Sequence, residues 1–119
     1  MIAAGGATGA LLRFWMSGWV YAMVGRGFPY GTLVVNVTGS LVMGFLYVWL
    51  IERTNVGAEW RALLLIGLLG AFTTFSTFSI ETLALVEDGE HLKAVINILT
   101  SVLLCLGAAW MGMVAGRQL

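Results

Sequence analysis

Apolar residues run along the chain in four blocks, separated by three short polar stretches, "GRGFPYG", "ERTNVGAEWR" and "EDGEH". The blocks fall at about Ala3 to Val24, Thr32 to Ile51, Ala62 to Val86 and Leu92 to Ala115. Bilayer hydrocarbon about 30 Å thick takes roughly 20 helical residues at about 1.5 Å rise each, so each block is long enough to cross. The pattern predicts an all-α integral membrane protein with four transmembrane helices in a single domain over residues 1–119. The connectors leave no room for a soluble domain, and Pro29, the only proline, sits in the first connector and breaks no span.

Inside the blocks, small and polar residues recur at helical spacing. In the second, Thr32, Asn36, Ser40 and Gly44 follow one another every four positions and share a face. In the fourth, Asn97, Ser101 and Cys105 do the same, followed by Ala109. Gly5 with Gly9, and Gly112 with Gly116, form small-residue pairs suited to close helix contact. A polar stripe beside a small one suits a helix that packs on one side and lines a path on the other, and equally any packed helix. Asn36 alone reads as an interhelical hydrogen bond worth about 0.6 to 2 kcal/mol, or as a pair of amide donors presented where bulk water is absent.

The third block departs from a plain leucine helix. Its centre, "GLLGAFTTFSTFS" from Gly67 to Ser79, holds five Thr and Ser, two glycines and three phenylalanines. Thr and Ser compete with the backbone for hydrogen bonds, and Gly67 and Gly70 lower helix propensity further. A helix from Ala62 to Val86 would be about 37 Å long, longer than the hydrocarbon and with slack for an unwound segment. A break is predicted near Gly70 to Ser76. Backbone freed in a membrane is tolerated only where protein, water or an ion satisfies it, so the break marks a candidate site, with carbonyls for a cation and N–H groups or hydroxyls for an anion. The alternative is a kinked helix that serves packing.

Composition supports the membrane assignment and narrows the chemistry. The 119 residues are 60% hydrophobic and 10% charged, with zero formal net charge, which argues against a nucleic-acid partner. One cysteine, Cys105, excludes an intrachain disulfide. The first block lacks a basic n-region and is too long for a signal-peptide core. Topology follows from Lys and Arg: Arg53, Arg61 and Arg117 lie on the face carrying both termini, and Arg26 and Lys93 on the other. Three against two is nearly a tie, so the chain has little to choose between two orientations. Two oppositely inserted copies could then pair about an axis in the membrane plane.

A few side chains carry the candidate chemistry. Arg13, near the centre of its span and followed by Trp15 and Trp19, costs at least about 2.5 kcal/mol in lipid and should face protein or water; it reads as a snorkelling side chain or a structural partner to a backbone carbonyl or to Glu81, or as an anion attractor in a wet vestibule. Glu81, also within a span, should be protonated, paired or in such a vestibule. Phe75 and Phe78, three apart, point the same way on a helix; they are core or lipid-facing rings, or ring edges whose partial positive charge favours an anion. His91 sits among Glu87, Asp88, Glu90 and Lys93 as a solvated side chain. No metal-ligand cluster, Walker A loop or nucleophile with its base is present, so neither an enzyme nor an ATP-driven pump is expected.

Taken together, "GGATGALLRF", "GTLVVNVTGS" and "GLLGAFTTFSTFSIET" resemble the Fluc (CrcB-type) fluoride channel family, in motif order and over essentially the whole chain. That resemblance implies an antiparallel, dual-topology homodimer in the cytoplasmic membrane of a bacterium or archaeon, with two fluoride pores and a central structural sodium ion. By position, it implies that Asn36, Phe75 and Phe78 line the pore. It also implies that the backbone carbonyls of Gly70 and Thr73 hold the sodium, and that Asn97, Ser101 and Cys105 form a polar track with Thr32 and Ser76 nearby. Cys105 stands where a serine is expected, and a thiol is the weaker donor. Arg13 and Glu81 are left as vestibule candidates. The implied mechanism is passive diffusion, exporting fluoride. The alternative four-span class, a small proton-coupled multidrug exporter, needs a glutamate in the first span, which here holds Arg13 and no acid.

Overall fold

The computed structural model describes residues 1–119. The chain is all-helical, an elongated bundle of 50 × 28 × 23 Å. The first helix is Ile2–Val24, the second Tyr30–Arg53, the third Ala58–Glu87 and the fourth His91–Gln118. The last three are long and apolar enough to cross a membrane. The first is of spanning length at 23 residues but falls short in hydropathy, because Arg13, Trp15, Trp19 and its glycines dilute the leucines. The first and third turns are sharp: Gly25 and Gly89 have φ of 83° and 79°, a left-handed backbone that glycine adopts without a Cβ clash.

Two of the helices are locally widened. The second ends in π-type turns over Val48–Arg53, with Thr54 N–H donating five residues back to the Trp49 carbonyl at 2.9 Å. The third begins with Ala58–Arg61 and continues in π-type turns over Ala62–Leu68 before returning to α geometry at Leu69–Phe72. It is then interrupted at residues 73–75 and resumes as Ser76–Glu87. The interruption falls within the Thr/Ser-rich stretch.

Glycine sets the helix contacts. The first helix packs on the first half of the third: a Cβ on Gly5 or Gly9 would run into the backbone of Leu63 and Leu68, and one on Gly67 into the Ile2 carbonyl. The second and fourth helices make the most extensive contact in the bundle. There a Cβ on Gly44 would strike the Ala109 carbonyl, and one on Gly112 the Leu41 carbonyl. Since lipid tails are as apolar as leucine, such backbone-to-backbone approach and its dispersion contacts, more than apolar burial, hold a membrane bundle together. Only 20 of the 119 residues are buried, and leucines and tryptophans face outward along every helix. The second half of the third helix is thinly packed, touching mainly the fourth helix.

Polar groups finish the ends. Arg53 Nη1 donates to the carbonyls of Gly116 and Arg117 at 2.8 and 3.1 Å, capping the C-terminus of the fourth helix, where the helix dipole favours a cation. Arg117 and Glu52 form the one ion pair, at 3.4 Å, exposed and of small energetic weight. At the opposite end Lys93 Nζ reaches the Gly27 carbonyl at 3.1 Å.

Candidate functional site: the helix break and its groove

The break is built from hydrogen bonds that the third helix gives up and the second helix replaces. Thr73 N–H still donates to the Leu69 carbonyl at 3.0 Å, closing the last α turn of the first half. In an uninterrupted helix, Thr74 N–H would next donate to the Gly70 carbonyl. Instead it donates to Asn36 Oδ1 at 2.8 Å, and Asn36 Nδ2 donates back to the Thr74 carbonyl at 2.9 Å. Thr73 is extended (φ −83°, ψ 158°), and its own carbonyl receives no backbone hydrogen bond. Carbonyl groups are thus left open on one side of the break, the donor set a hard monovalent cation accepts.

The hydroxyls of the stretch are mostly turned to local backbone. Thr73 Oγ1 donates to the Leu69 carbonyl at 2.9 Å and Ser79 Oγ to the Phe75 carbonyl at 3.0 Å. Thr74 Oγ1 accepts the Thr77 N–H at 3.3 Å, satisfying an orphan donor at the start of the second half-helix. Thr74 was not singled out in the sequence, although a Thr three residues ahead of an N–H that needs a partner is a capping spacing.

Beside the break lies a cavity of about 440 Å³ between the second, third and fourth helices. Asn36, Ser40, Phe75, Phe78, Ser101 and Cys105 all line it, and no charged residue does. The rings of Phe75 and Phe78 are tilted against each other at 45°, with centroids 5.3 Å apart. Phe78 is buried at 8% exposure, whereas Phe75 is 76% exposed and projects from the bundle. One Nδ2 proton of Asn36 is engaged by Thr74, and the other is left for the cavity.

Other candidates lie outside this groove. Asn97 is 2% exposed and donates from Nδ2 to Thr82 Oγ1 at 2.8 Å, tying the fourth helix to the second half of the third. Ser101 Oγ donates to Asn97 Oδ1 at 3.4 Å, so it joins Asn97 to the groove. Thr32 is buried and lines a separate cavity of about 220 Å³ with Arg13, Ser17, Thr74 and Thr77. Ser76 is exposed, 3.5 Å from Thr74 Oγ1. Arg13 makes no ion pair. Glu81 instead accepts a hydrogen bond from Tyr21 Oη on Oε2 at 3.1 Å, while its buried Oε1 has no partner. The Arg26 guanidinium covers the Tyr21 ring at 4.4 Å.

These features define a small multi-pass membrane protein whose third helix is opened beside an uncharged, aromatic-lined groove. The chain matches the family described as CrcB-like protein, Camphor Resistance (CrcB), over residues 1–113, and it belongs to that family. It is 59% identical over 118 residues to a protein of Methylococcus capsulatus named fluoride-specific ion channel FluC, covering 99% of this chain and 52% of that one. It thus spans about half the length of that relative. Proteins of the same name from Geobacter metallireducens and Coxiella burnetii are 52% and 48% identical, over 99% and 100% of this chain and 95% and 97% of theirs.

Proposed function

We propose that this chain is a fluoride-selective passive channel, working as an antiparallel homodimer with two pores and exporting fluoride across the cytoplasmic membrane of a microbial cell. The observation that carries this reading is the convergence of Asn36, Phe75, Phe78 and Ser101 on one uncharged groove, in a chain about half identical to proteins named fluoride-specific channels. Fluoride is small and strongly hydrated, so it leaves water only where other donors replace its shell. The free Asn36 N–H, the Ser40 and Ser101 hydroxyls and the positive edges of two phenyl rings are such donors. None is a full charge, which suits an ion that must be held well enough to enter and weakly enough to leave. Arg13 and Glu81, in separate cavities, are assigned to the approaches and not to the narrow path.

The dimer accounts for what a single copy leaves open. Phe75 is three-quarters exposed, the second half of the third helix is thinly packed, and the cation counts on the two faces are nearly equal. An antiparallel partner would cover the first two and is permitted by the third. The Gly70 and Thr73 carbonyls of both copies would converge on the two-fold axis, where bound sodium supplies positive charge to carbonyls that the helix no longer satisfies. The test is efflux from liposomes holding the purified protein and loaded with fluoride or chloride, read with ion-selective electrodes. Rapid fluoride efflux with chloride retained is expected; equal efflux of both, or none of either, would remove the channel assignment.

A further inference from the structure

We infer that Asn36 is a positioning residue for the central cation site as well as a pore donor, so that one side chain couples cation binding to the fluoride path. The inference rests on the reading above for the existence of that site. Its own basis is which peptide Asn36 grips.

The N–H that Asn36 Oδ1 accepts belongs to Thr74, and it shares a peptide plane with the Thr73 carbonyl. That peptide is trans, as no cis bond occurs in the chain, so its C=O points opposite to its N–H. Holding the N–H toward the second helix therefore aims the Thr73 carbonyl away from it, to the other side of the break. The same hydrogen bond acts on the second candidate ligand. Gly70 would receive the Thr74 N–H if the helix continued, and it keeps a free carbonyl because Asn36 has taken that donor. The ladder is intact up to Thr73 N–H and is diverted at the next rung, so Asn36 intercepts the first bond that would close the break.

The pairing is two-point, at 2.8 and 2.9 Å, and flipping the carboxamide would set oxygen against oxygen and nitrogen against nitrogen. Thr74 thus orients Asn36 as firmly as Asn36 orients Thr74. A cation drawing on the Thr73 carbonyl polarises that peptide, makes the Thr74 N–H a stronger donor and tightens its bond to Oδ1. The remaining Nδ2 proton, the one facing the groove, is then held in its fluoride-binding direction. Linkage requires the converse: a side chain at position 36 that cannot accept from Thr74 weakens the cation site.

The test measures cation binding without reference to flux. Thermal midpoints of the purified homodimer are followed as sodium replaces a large organic cation, for wild type, Asn36→Asp and Asn36→Leu. Asp keeps an acceptor for the Thr74 N–H, although its second oxygen replaces the Nδ2 donor to the Thr74 carbonyl, and Leu keeps only the shape. Wild type and Asn36→Asp are both expected to gain stability with sodium, the Asp variant from a lower baseline, while Asn36→Leu needs at least tenfold more sodium than either. Equal sodium responses in the two variants, both retained or both lost, would overturn the coupling. Should Asn36→Leu fail to assemble, sodium titration of the ¹⁵N-labelled wild type decides: the Thr74 N–H and Asn36 side-chain signals should move with one midpoint, and a stabilised dimer in which either stays still would refute the link. A wild type with no sodium response at all would remove the cation site and this proposal with it, while leaving the liposome result untouched.

Discussion

The Asn36 carboxamide and the backbone of Thr74 exchange two hydrogen bonds, as neighbouring strands do, in the middle of an otherwise helical membrane protein. The pairing explains how the Thr74 N–H and C=O stay satisfied where a helix stops inside a membrane: the second helix lends a side-chain amide in place of a backbone one, and the Gly70 and Thr73 carbonyls are what the break leaves open. It also makes Asn36 the junction between the open carbonyls and the groove.

Asn36→Asp should cut throughput by about two orders of magnitude, and it also removes the hydrogen bond that Nδ2 donates to the Thr74 carbonyl. The substitution keeps size and the acceptor for Thr74 N–H, but puts a carboxylate oxygen where Nδ2 donated. A carboxylate facing the path opposes a permeating anion; at about 5 Å and an effective dielectric constant of about 20 the repulsion is about 3 kcal/mol, so flux falls roughly 100-fold. Fluoride efflux per assembled dimer is the measurement, and near-wild-type efflux would take Asn36 out of the path.

Phe75→Ile and Phe78→Ile separate ring chemistry from packing. Both keep apolar bulk and remove the positive edge, so both should lose most fluoride flux. Phe78 is buried and should also cost about 1–2 kcal/mol of stability, whereas Phe75, exposed in the single chain, should change stability only through the dimer. Flux preserved in both variants would argue that the rings are ordinary packing.

Much of this arrangement was legible in the sequence, and helix geometry shows where legibility stopped. The close approaches at Gly5, Gly9, Gly112 and Gly116 and the adjacency of Phe75 and Phe78 follow from spacing alone. So does the location of the break, because Thr, Ser and Gly weaken a helix locally. The four-residue stripes were less informative than they looked. Four residues advance about 400°, so each step drifts roughly 40°, and a stripe turns through about a third of a circle over three steps. Hence Thr32 faces the Arg13 cavity, Asn36 and Ser40 face the groove, and Gly44 meets the fourth helix. The same drift turns Asn97 to Thr82 while Cys105 reaches the groove. The partner of Asn36 could not be read at all, since it is a main-chain group exposed only once the helix breaks.

Substituting the contact glycines should disrupt the packing of the second helix on the fourth. Gly44→Val and Gly112→Val place atoms against the Ala109 and Leu41 carbonyls and should each cost at least about 2 kcal/mol, with loss of monodisperse protein. Gly18→Ala, which meets nothing within 4 Å, should be tolerated. Chromatographic profile and thermal midpoint check both, and a stable Gly44→Val would mean that this contact relaxes more easily than backbone allows.

Dual insertion can be tested through the second connector. Asn55→Lys with Gly57→Lys adds two cations at exposed positions, and Gly57 has an ordinary φ of −63° and open space around it. Arg53 is left to cap the fourth helix. The doubly substituted chain should insert in one orientation, with that connector cytoplasmic, and lose activity unless coexpressed with an oppositely biased copy. Reporters on the C-terminus would reveal the orientation; a wild type found on one side only would exclude the antiparallel dimer.

The fourth helix offers the sharpest contrast between packing and path, because three residues of one stripe have different surroundings. Asn97 is enclosed and bonded to Thr82, so Asn97→Ala leaves a cavity and removes a buried hydrogen bond, at a cost of about 1–3 kcal/mol. Any flux lost should track the lost dimer. Ser101 lines the groove, and its one side-chain bond, at 3.4 Å to Asn97, is long. Ser101→Ala should therefore change stability by less than about 0.5 kcal/mol while lowering fluoride efflux per dimer several-fold. Cys105 stands one turn further along the same groove with a weak thiol donor, and Cys105→Ser supplies a stronger one in nearly the same volume. If fluoride is passed between donors along this face, Cys105→Ser raises efflux and Ser101→Ala lowers it at unchanged dimer yield. If the stripe serves only packing, efflux per dimer is the same in all three variants and only their thermal midpoints differ.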